Sequence, residues 1–470
     1  MKPKTAEVFY LLFLPMVIAL SLGWMYGFNG LYGQDAHAYF GYSLELVNYF
    51  EGGSFPSHFF WPVFYPLFGA SLGFVFGHTL VMLQLISALG MGLTVFFSYK
   101  LFQLNIKKEK YVPYFFVFLV LCPIVLKSAI LIMSDMLCLG LIMGSWYYTF
   151  LFEKNKKGWL ILPAAAFAIL AVNTRYGAAV LLFVPLYVII KTVLKEKQWL
   201  YLGLGILTIA FLSIPHFFLK SNDPVGFVGH SWLTNWSLLN PFQRNFETNE
   251  GIFNYLFPNI GFVMYSFFHP LFFSMGAILL FFIKPKEDFL AHKYIAIALG
   301  IYLLFLAGIP YQNKRFLLLA MPFVTILFLP SFKRFFKLVR EKVKVEMMFF
   351  VVIIFSQIVF FTYSFINVYQ RNKLEKEIAF VIFKYPQKHL YGFDMDISLN
   401  SYGVDKNIHN MWVEEYPKFI RNSLVIFNEE KFAQQWKGKA PMNNWKMMNE
   451  KYEIRKVDSF KEGWNLYELH

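Results

Sequence analysis

Long apolar runs separated by short lysine-rich loops dominate the chain. A helix that crosses a bilayer needs about 20 apolar residues. On that basis about eleven spans are predicted, near 8–26, 79–103, 112–132, 136–152, 159–173, 176–194, 199–219, 261–283, 294–310, 316–332 and 347–368. Between the first two, Tyr39, Tyr42, Leu46, Tyr49 and Phe50 recur at helical spacing. The spacing predicts a helix over Ala36 to Phe50 that lies along the interface with its apolar face down. Asp35 then stands at its start, either as an N-cap or as an oriented reactive carboxylate, and one residue can be both. The run from Phe59 to Gly77 is also apolar, but Pro62, Pro66, Gly69 and Gly73 interrupt it. Counting it as a full span inverts every later loop, so it reads as partly inserted or re-entrant, within a first outward loop over 27–77.

Residues 220–260 form the longest loop between spans and carry His230, Trp232, Trp236, Asn240, Pro241, Arg244, Glu247 and Glu250. Its tryptophans suit either an interfacial belt or a sugar ring. After the last span the pattern turns polar and mixed-charge. Strand-like runs fall at Ser423–Asn428, Tyr452–Val457 and Trp464–Leu469, and helix-like ones at Ile378–Tyr385 and Glu429–Trp436. Residues 1–369 are thus predicted to form a transmembrane domain, and 370–470 a small soluble α/β domain held outside the membrane by the last span.

Composition agrees with a polytopic membrane protein: 57% of 470 residues are hydrophobic and 15% charged, with a mean hydropathy of +0.47. The net charge of +14 does not point to nucleic acid, because the lysines and arginines gather in alternate short loops. That is the positive-inside pattern, which puts the N-terminus and the lysine loops in the cytoplasm and the C-terminal domain on the far side. The two cysteines, Cys122 and Cys138, lie in apolar runs and form no CxxC signature. After Met1–Thr5 no clear cleavage site follows the apolar run from Val8, so it reads as a retained span. No P-loop, dinucleotide fingerprint, HExxH or GxSxG motif occurs, nor a sustained internal repeat.

The same topology puts Asp35, Asp135, Arg175, His230 and Arg315 on the outer face. Ser134-Asp135 falls directly between two spans. A charge at the bilayer centre costs roughly 2.5–3.5 kcal/mol on insertion scales, so Asp135 belongs at the outer edge or in a wet cavity, with Ser134 available as a helix cap. Two spans meet at Asn173-Thr174-Arg175-Tyr176, where Arg175 either joins a site or snorkels to head groups. His269-Pro270 opens a later span and suits packing or a site. In Pro310 to Phe316, Lys314 and Arg315 stand on the outer side against the topological bias. Such cations suit an anionic lipid phosphate, and arginine offers it a two-pronged donor.

Taken together, Asp35 with Tyr39, the Pro62–Pro66–Gly77 segment, Ser134-Asp135, Asn173-Thr174-Arg175-Tyr176, and Lys314-Arg315-Phe316 running to Pro322 resemble the GT-C superfamily of lipid-sugar-dependent glycosyltransferases. The nearest likeness is to bacterial relatives of protein O-mannosyltransferases and lipid A aminoarabinose transferases. The resemblance implies a sugar moved from a polyprenyl-phosphate donor to a lipid, glycan or protein acceptor on the extracytoplasmic face. It implies Asp35 as base; Asp135 is expected to assist it, and Tyr39, His37, Arg175, Tyr176, His230, Lys314 and Arg315 are the candidates around the substrates. Many members carry Asp-Glu where this chain has Asp35-Ala36. A metal bridged by paired carboxylates therefore lacks one ligand, for which Asp135 or His37 would have to substitute, and no obligatory divalent metal is expected. Two other readings fit the apolar pattern. A flippase for lipid-linked sugars requires ionisable groups at the midplane, and a polymerase or ligase of surface glycans draws on Arg244 and His230.

Overall fold

A computed structural model describes residues 8–105, 117–221, 231–339, 343–412 and 414–470. Among these, six helices are long and apolar enough to cross a bilayer: Thr79–Leu104, Ser134–Asn155, Ala178–Glu196, Trp199–Leu219, Lys314–Leu338 and Met347–Ile382. Shorter apolar helices lie beside them, at Phe9–Met25, Phe64–Phe76, Gly158–Thr174, Asn259–Phe268 and Lys293–Ala307. The protein is a multi-pass helical membrane protein with a small C-terminal α/β region.

The elements that matter for the site are α1 (Leu14–Met25), α2 (Gly33–Phe50), α3 (Phe64–Phe76), α4 (Thr79–Asn105), α5 (Pro123–Ile130), α6 (Ser134–Asn155), α7 (Ile161–Thr174), α8 (Ala178–Glu196) and α9 (Trp199–Leu219). They continue with the hairpin β1 (Asn245–Thr248) and β2 (Gly251–Asn254), then α10 (Lys293–Ala307), α11 (Met321–Val339) and α12 (Val343–Ile382). Helices α4 and α6 cross closely. A Cβ on Gly90 would meet the Leu137 amide nitrogen at 2.3 Å, and one on Gly140 the Gly90 carbonyl oxygen at 2.8 Å. Small residues let membrane helices touch backbone to backbone, and this contact fixes the end of α6 that carries Asp135.

Two predicted spans are not continuous helices. The described part of 112–132 breaks at Cys122 before Pro123, and 261–283 breaks at His269 before Pro270, where both preceding residues leave helical geometry. The broken segments satisfy each other: Ile124 N donates to Leu271 O at 3.1 Å, and Cys122 Sγ to Phe272 O at 3.1 Å. Irregular backbone at membrane depth survives only where protein covers it in this way. Conversely, the interrupted run before Gly77 contains one unbroken helix, α3. Pro66 sits in its first turn, where its missing N–H is not needed, and Gly69 and Gly73 lie against Leu83 and Thr79. At about 20 Å long, α3 falls short of the roughly 30 Å hydrocarbon core.

Helix α12 is 40 residues long, about 60 Å, or twice the hydrocarbon thickness. It runs unbroken past residue 369, and its far end enters the core of the C-terminal region through Leu374, Ile378 and Ile382. There β3 (His389–Gly392), α13 (Asp396–Ser401), β4 (Asn407–Asn410), β5 (Ser423–Phe427), β6 (Ile454–Ser459) and β7 (Asn465–Leu469) follow. The sheet order is β4-β3-β5-β7-β6, with β4, β3 and β5 parallel and the rest antiparallel.

This region grips the membrane helices at two points. Helix α13 docks on α2, and the hairpin accepts a second contact, with Ile252 N on Gln435 O at 2.7 Å and Glu247 paired to Lys439 at 2.8 Å.

Candidate active site

Asp35 reaches the site because α2 starts earlier than its apolar periodicity suggests. The helix begins at Gly33, whose φ of +62° is left-handed and suits glycine. Tyr32 occupies the N-cap without a side-chain bond, so Asp35 is a first-turn residue and not the cap. Its carboxylate instead accepts from Arg315 Nη1 at 2.7 Å. About three turns of α2 present a buried face of Ala36, Tyr39, Tyr42, Ser43 and Leu46. On that face Tyr39 Oη lies 2.8 Å from Ser134 Oγ, so Ser134 bonds a partner helix and does not cap α6. Burial first, then the Asp35 charge, pushes the Tyr39 phenol above its usual range.

The other three charged groups come from chain ends far apart in sequence. Asp135 lies in the first turn of α6, Arg175 terminates α7, and Arg315 follows Asn313, whose side chain accepts from the Arg315 amide at 2.9 Å. Asp135 has no exposed side chain, and two guanidiniums flank it: Arg175 Nη1 on Oδ1, and Arg315 Nε at 2.8 Å from Oδ2. Arg175 also stands 5.1 Å from the Phe316 ring centroid, so it faces the protein and does not snorkel. A buried carboxylate is tolerated only when it is paired this closely. Asp35, at 29% exposure, is the acid that solvent and small molecules can reach.

Two cavities meet at Arg315. The larger, about 780 Å³, is mostly apolar, with Val172, Val180, Phe183, Phe305 and Leu306 in its walls and Tyr39, Arg175, Tyr176, His216, Lys220 and Arg315 as its polar rim. The smaller, about 300 Å³, is polar and aromatic and contains Asp35, Glu250, Asp394 and Trp412. Burial, with the Glu250 and Asp35 charges, pushes the Tyr311 phenol on its wall up to about 12. Among the described residues no three His, Cys, Asp or Glu side chains group as a metal-holding cluster.

The remaining sequence candidates divide. Tyr176 lines the large cavity, its hydroxyl 3.2 Å from His216 Nε2. His37 turns away from both cavities: it is buried against Glu375 at 3.0 Å and bonds Ser401, so it ties α2 to α12 and α13. Lys314 is exposed and lines neither cavity, its charge felt instead by Lys127 and His269. His230 lies outside the described residues. Of the loop tryptophans, Trp232 stacks on Tyr311 with centroids 5.2 Å apart, whereas Trp236 donates to Phe305 O at 2.9 Å and packs structurally. Sequence reasoning missed Lys220, which lines the large cavity and donates to the Phe59 carbonyl. As a lone cation at the outward end of α9 it carried the same signal as Arg315.

No protein-family model matches the chain, and no curated protein matches it in sequence. Solved structures do. Apo ArnT from Cupriavidus metallidurans aligns over 96% of this chain and 97% of its own, with a TM-score of 0.63 and 13% identity. ArnT from the same organism bound to undecaprenyl phosphate aligns over 98% of both chains, with a TM-score of 0.61 and 14% identity. The chain has the ArnT fold. The likeness of architecture runs along nearly the whole length of both chains, and in this chain the fold carries Asp35, Asp135, Arg175 and Arg315 at one end of the helix bundle.

Proposed function

We propose that the protein is an integral-membrane glycosyltransferase that moves a sugar from a polyprenyl-phosphate carrier to an acceptor at the extracytoplasmic face, with Asp35 as general base. The observation that carries this reading is the position of Arg315, which lines both cavities and holds Asp35. In the proposal, the carrier's tail occupies the apolar cavity and its phosphate meets Arg175, Arg315 and Lys220. One of the two ArnT structures holds undecaprenyl phosphate, a carrier of this class. The acceptor enters through the polar cavity and meets Asp35.

The chemistry is a single displacement. Asp35 takes the acceptor O–H proton, the acceptor oxygen bonds to the anomeric carbon, and the carbon–oxygen bond to phosphate breaks with its electron pair left on the phosphate. A positioned base contributes about 10²–10⁴-fold, and cations at the leaving group stabilise its growing charge. One displacement inverts the anomeric carbon. The orientation fits too. The charged residues gather at one end of α6, α8 and α11, while Lys154, Lys195, Lys197 and Lys337 mark the other, cytoplasmic by the positive-inside bias.

The test supplies purified protein with radiolabelled polyprenyl-phosphate sugars and membrane extract. The reading requires a labelled product of inverted configuration, formed by the wild type and by Arg244→Ala and abolished in Asp35→Asn. Translocation of the sugar-lipid without product, or retained configuration, contradicts it.

A further inference from the structure

We propose that the polar cavity beside Asp35 is the acceptor site for an uncharged carbohydrate, whose pyranose ring stacks on Trp412. The proposal rests on the transferase reading and specifies the chemical class of its acceptor.

Trp412 belongs to the C-terminal region yet lines the cavity that holds Asp35. It is only partly buried: it packs against the core of the C-terminal region, and no described aromatic ring stacks on it. The neighbouring rings are engaged with one another: Phe393 meets Trp436 edge-on at 4.9 Å, and Phe253 meets Tyr311 at 5.2 Å. An indole backed by the core and lining a cavity offers a platform for a flat apolar face, and the C–H face of a pyranose is one.

The platform is also aimed. Trp412 N donates to Asn410 Oδ1 at 2.6 Å, Asn410 Nδ2 donates to Asp396, and Gln34 Nε2 reaches the other Asp396 oxygen at 3.4 Å. Gln34 directly precedes Asp35. The backbone that carries the indole is therefore keyed to the turn that carries the carboxylate, although 377 positions separate Trp412 from Asp35.

Charge selects the ligand. The charged side chains on the lining are Asp35, Glu250, Asp394 and Arg315, and Asp394 is already held by Arg371 and Lys431. Arg315 is already shared between Asp35 and Asp135. A phosphate-bearing acceptor entering here meets a lining cation already paired to two carboxylates, whereas sugar hydroxyls find carboxylate oxygens that accept their hydrogen bonds. The cations instead face the large cavity, where the carrier phosphate belongs. At about 300 Å³ the polar cavity is at the small end of ligand pockets, suited to the terminal ring of a glycan.

The experiment uses the full-length protein in detergent, with Trp412→Ala and Trp412→Phe variants whose thermal midpoints match the wild type. The probes are short neutral oligosaccharides and their phosphomonoester counterparts, measured by equilibrium dialysis and, with a labelled polyprenyl-phosphate sugar, by transfer kinetics. A neutral series is expected to bind and accept sugar, with its Kd and acceptor KM raised about tenfold in Trp412→Ala. Trp412→Phe recovers most of that loss, and donor KM changes little in either. Tighter binding of the phosphorylated sugars, no binding of any neutral series, or an acceptor KM unchanged in Trp412→Ala overturns the proposal while leaving the transferase reading intact. Neutral sugar bound by a wild-type protein that never consumes the donor overturns that reading, and the acceptor assignment with it.

Discussion

Arg315 donates to Asp35 at 2.7 Å across 280 positions of sequence, and the same guanidinium lies 2.8 Å from Asp135. One side chain thus connects the exposed acid, the buried acid and both cavities. Arg315→Lys keeps the charge but loses the fork that spans the two carboxylates. Transfer in this variant is expected to fall by about 10²–10³-fold in kcat, the size of effect seen when one preorganised donor is removed. Steady-state kinetics with labelled donor reads it, and a near wild-type kcat contradicts the role assigned to Arg315.

Asp135 is predicted to act through structure more than through contact with substrate, because it is fully buried between Arg175 and Arg315. Asp135→Asn leaves two guanidiniums without their shared counter-charge, and breaking a buried ion pair costs about 3–5 kcal/mol. The thermal midpoint in detergent is expected to drop clearly, whereas Arg244→Ala, on an exposed loop, leaves it close to wild type.

Much of this arrangement was legible in the sequence, for a physical reason. An ionisable group beside an apolar span is costly unless it is paired or wet, so Asp35, Asp135, Arg175 and Arg315 stand out in the sequence even though capping and snorkelling also account for Asp35 and Arg175. Partners were not legible. Nothing local to His37 indicates Glu375, 338 residues away, and its place beside Asp35 suggested the site when its bonds run the other way. The breaks at Cys122 and His269 were hidden because a proline inside an apolar run does not say whether the chain kinks or stops. The exchange of bonds between those two segments decides it. In the C-terminal region the apolar run of β5 and the mixed runs of β6 and β7 could be read, but β3 and β4, of four residues each, were too short to show a period.

The His37 cluster yields a separate prediction. His37→Ala removes the bonds to Glu375 and Ser401 and leaves a buried carboxylate with Arg371 as its remaining ion-pair partner. The expected loss is about 2–4 kcal/mol. It should appear as faster hydrogen exchange over 396–401, since α13 loses one tie to α2 and keeps only the long Gln34–Asp396 bond among its described side-chain bonds to that helix. Unchanged exchange there contradicts the coupling.

Asp396 adds a pH dependence. Burial is the main cause that raises its carboxyl to about 6, with the Asp394 charge acting in the same direction, against hydrogen bonds from Asn410. A carboxyl raised on folding favours the protonated folded state. Its contribution is complete below about pH 4, the unfolded value, and is lost as pH rises through about 6, amounting to roughly 2–3 kcal/mol. Asp396→Asn removes this component. Thermal midpoints measured across that window should show the wild type losing stability relative to the variant, and parallel profiles contradict the assignment.

The most direct measurement of the central claim separates donor binding from turnover in Asp35→Asn. Equilibrium binding of labelled polyprenyl-phosphate sugar and single-turnover transfer are followed in the same preparation. The account predicts donor affinity within about threefold of wild type and transfer reduced by at least about 10²-fold. Transfer at the wild-type rate by Asp35→Asn contradicts it.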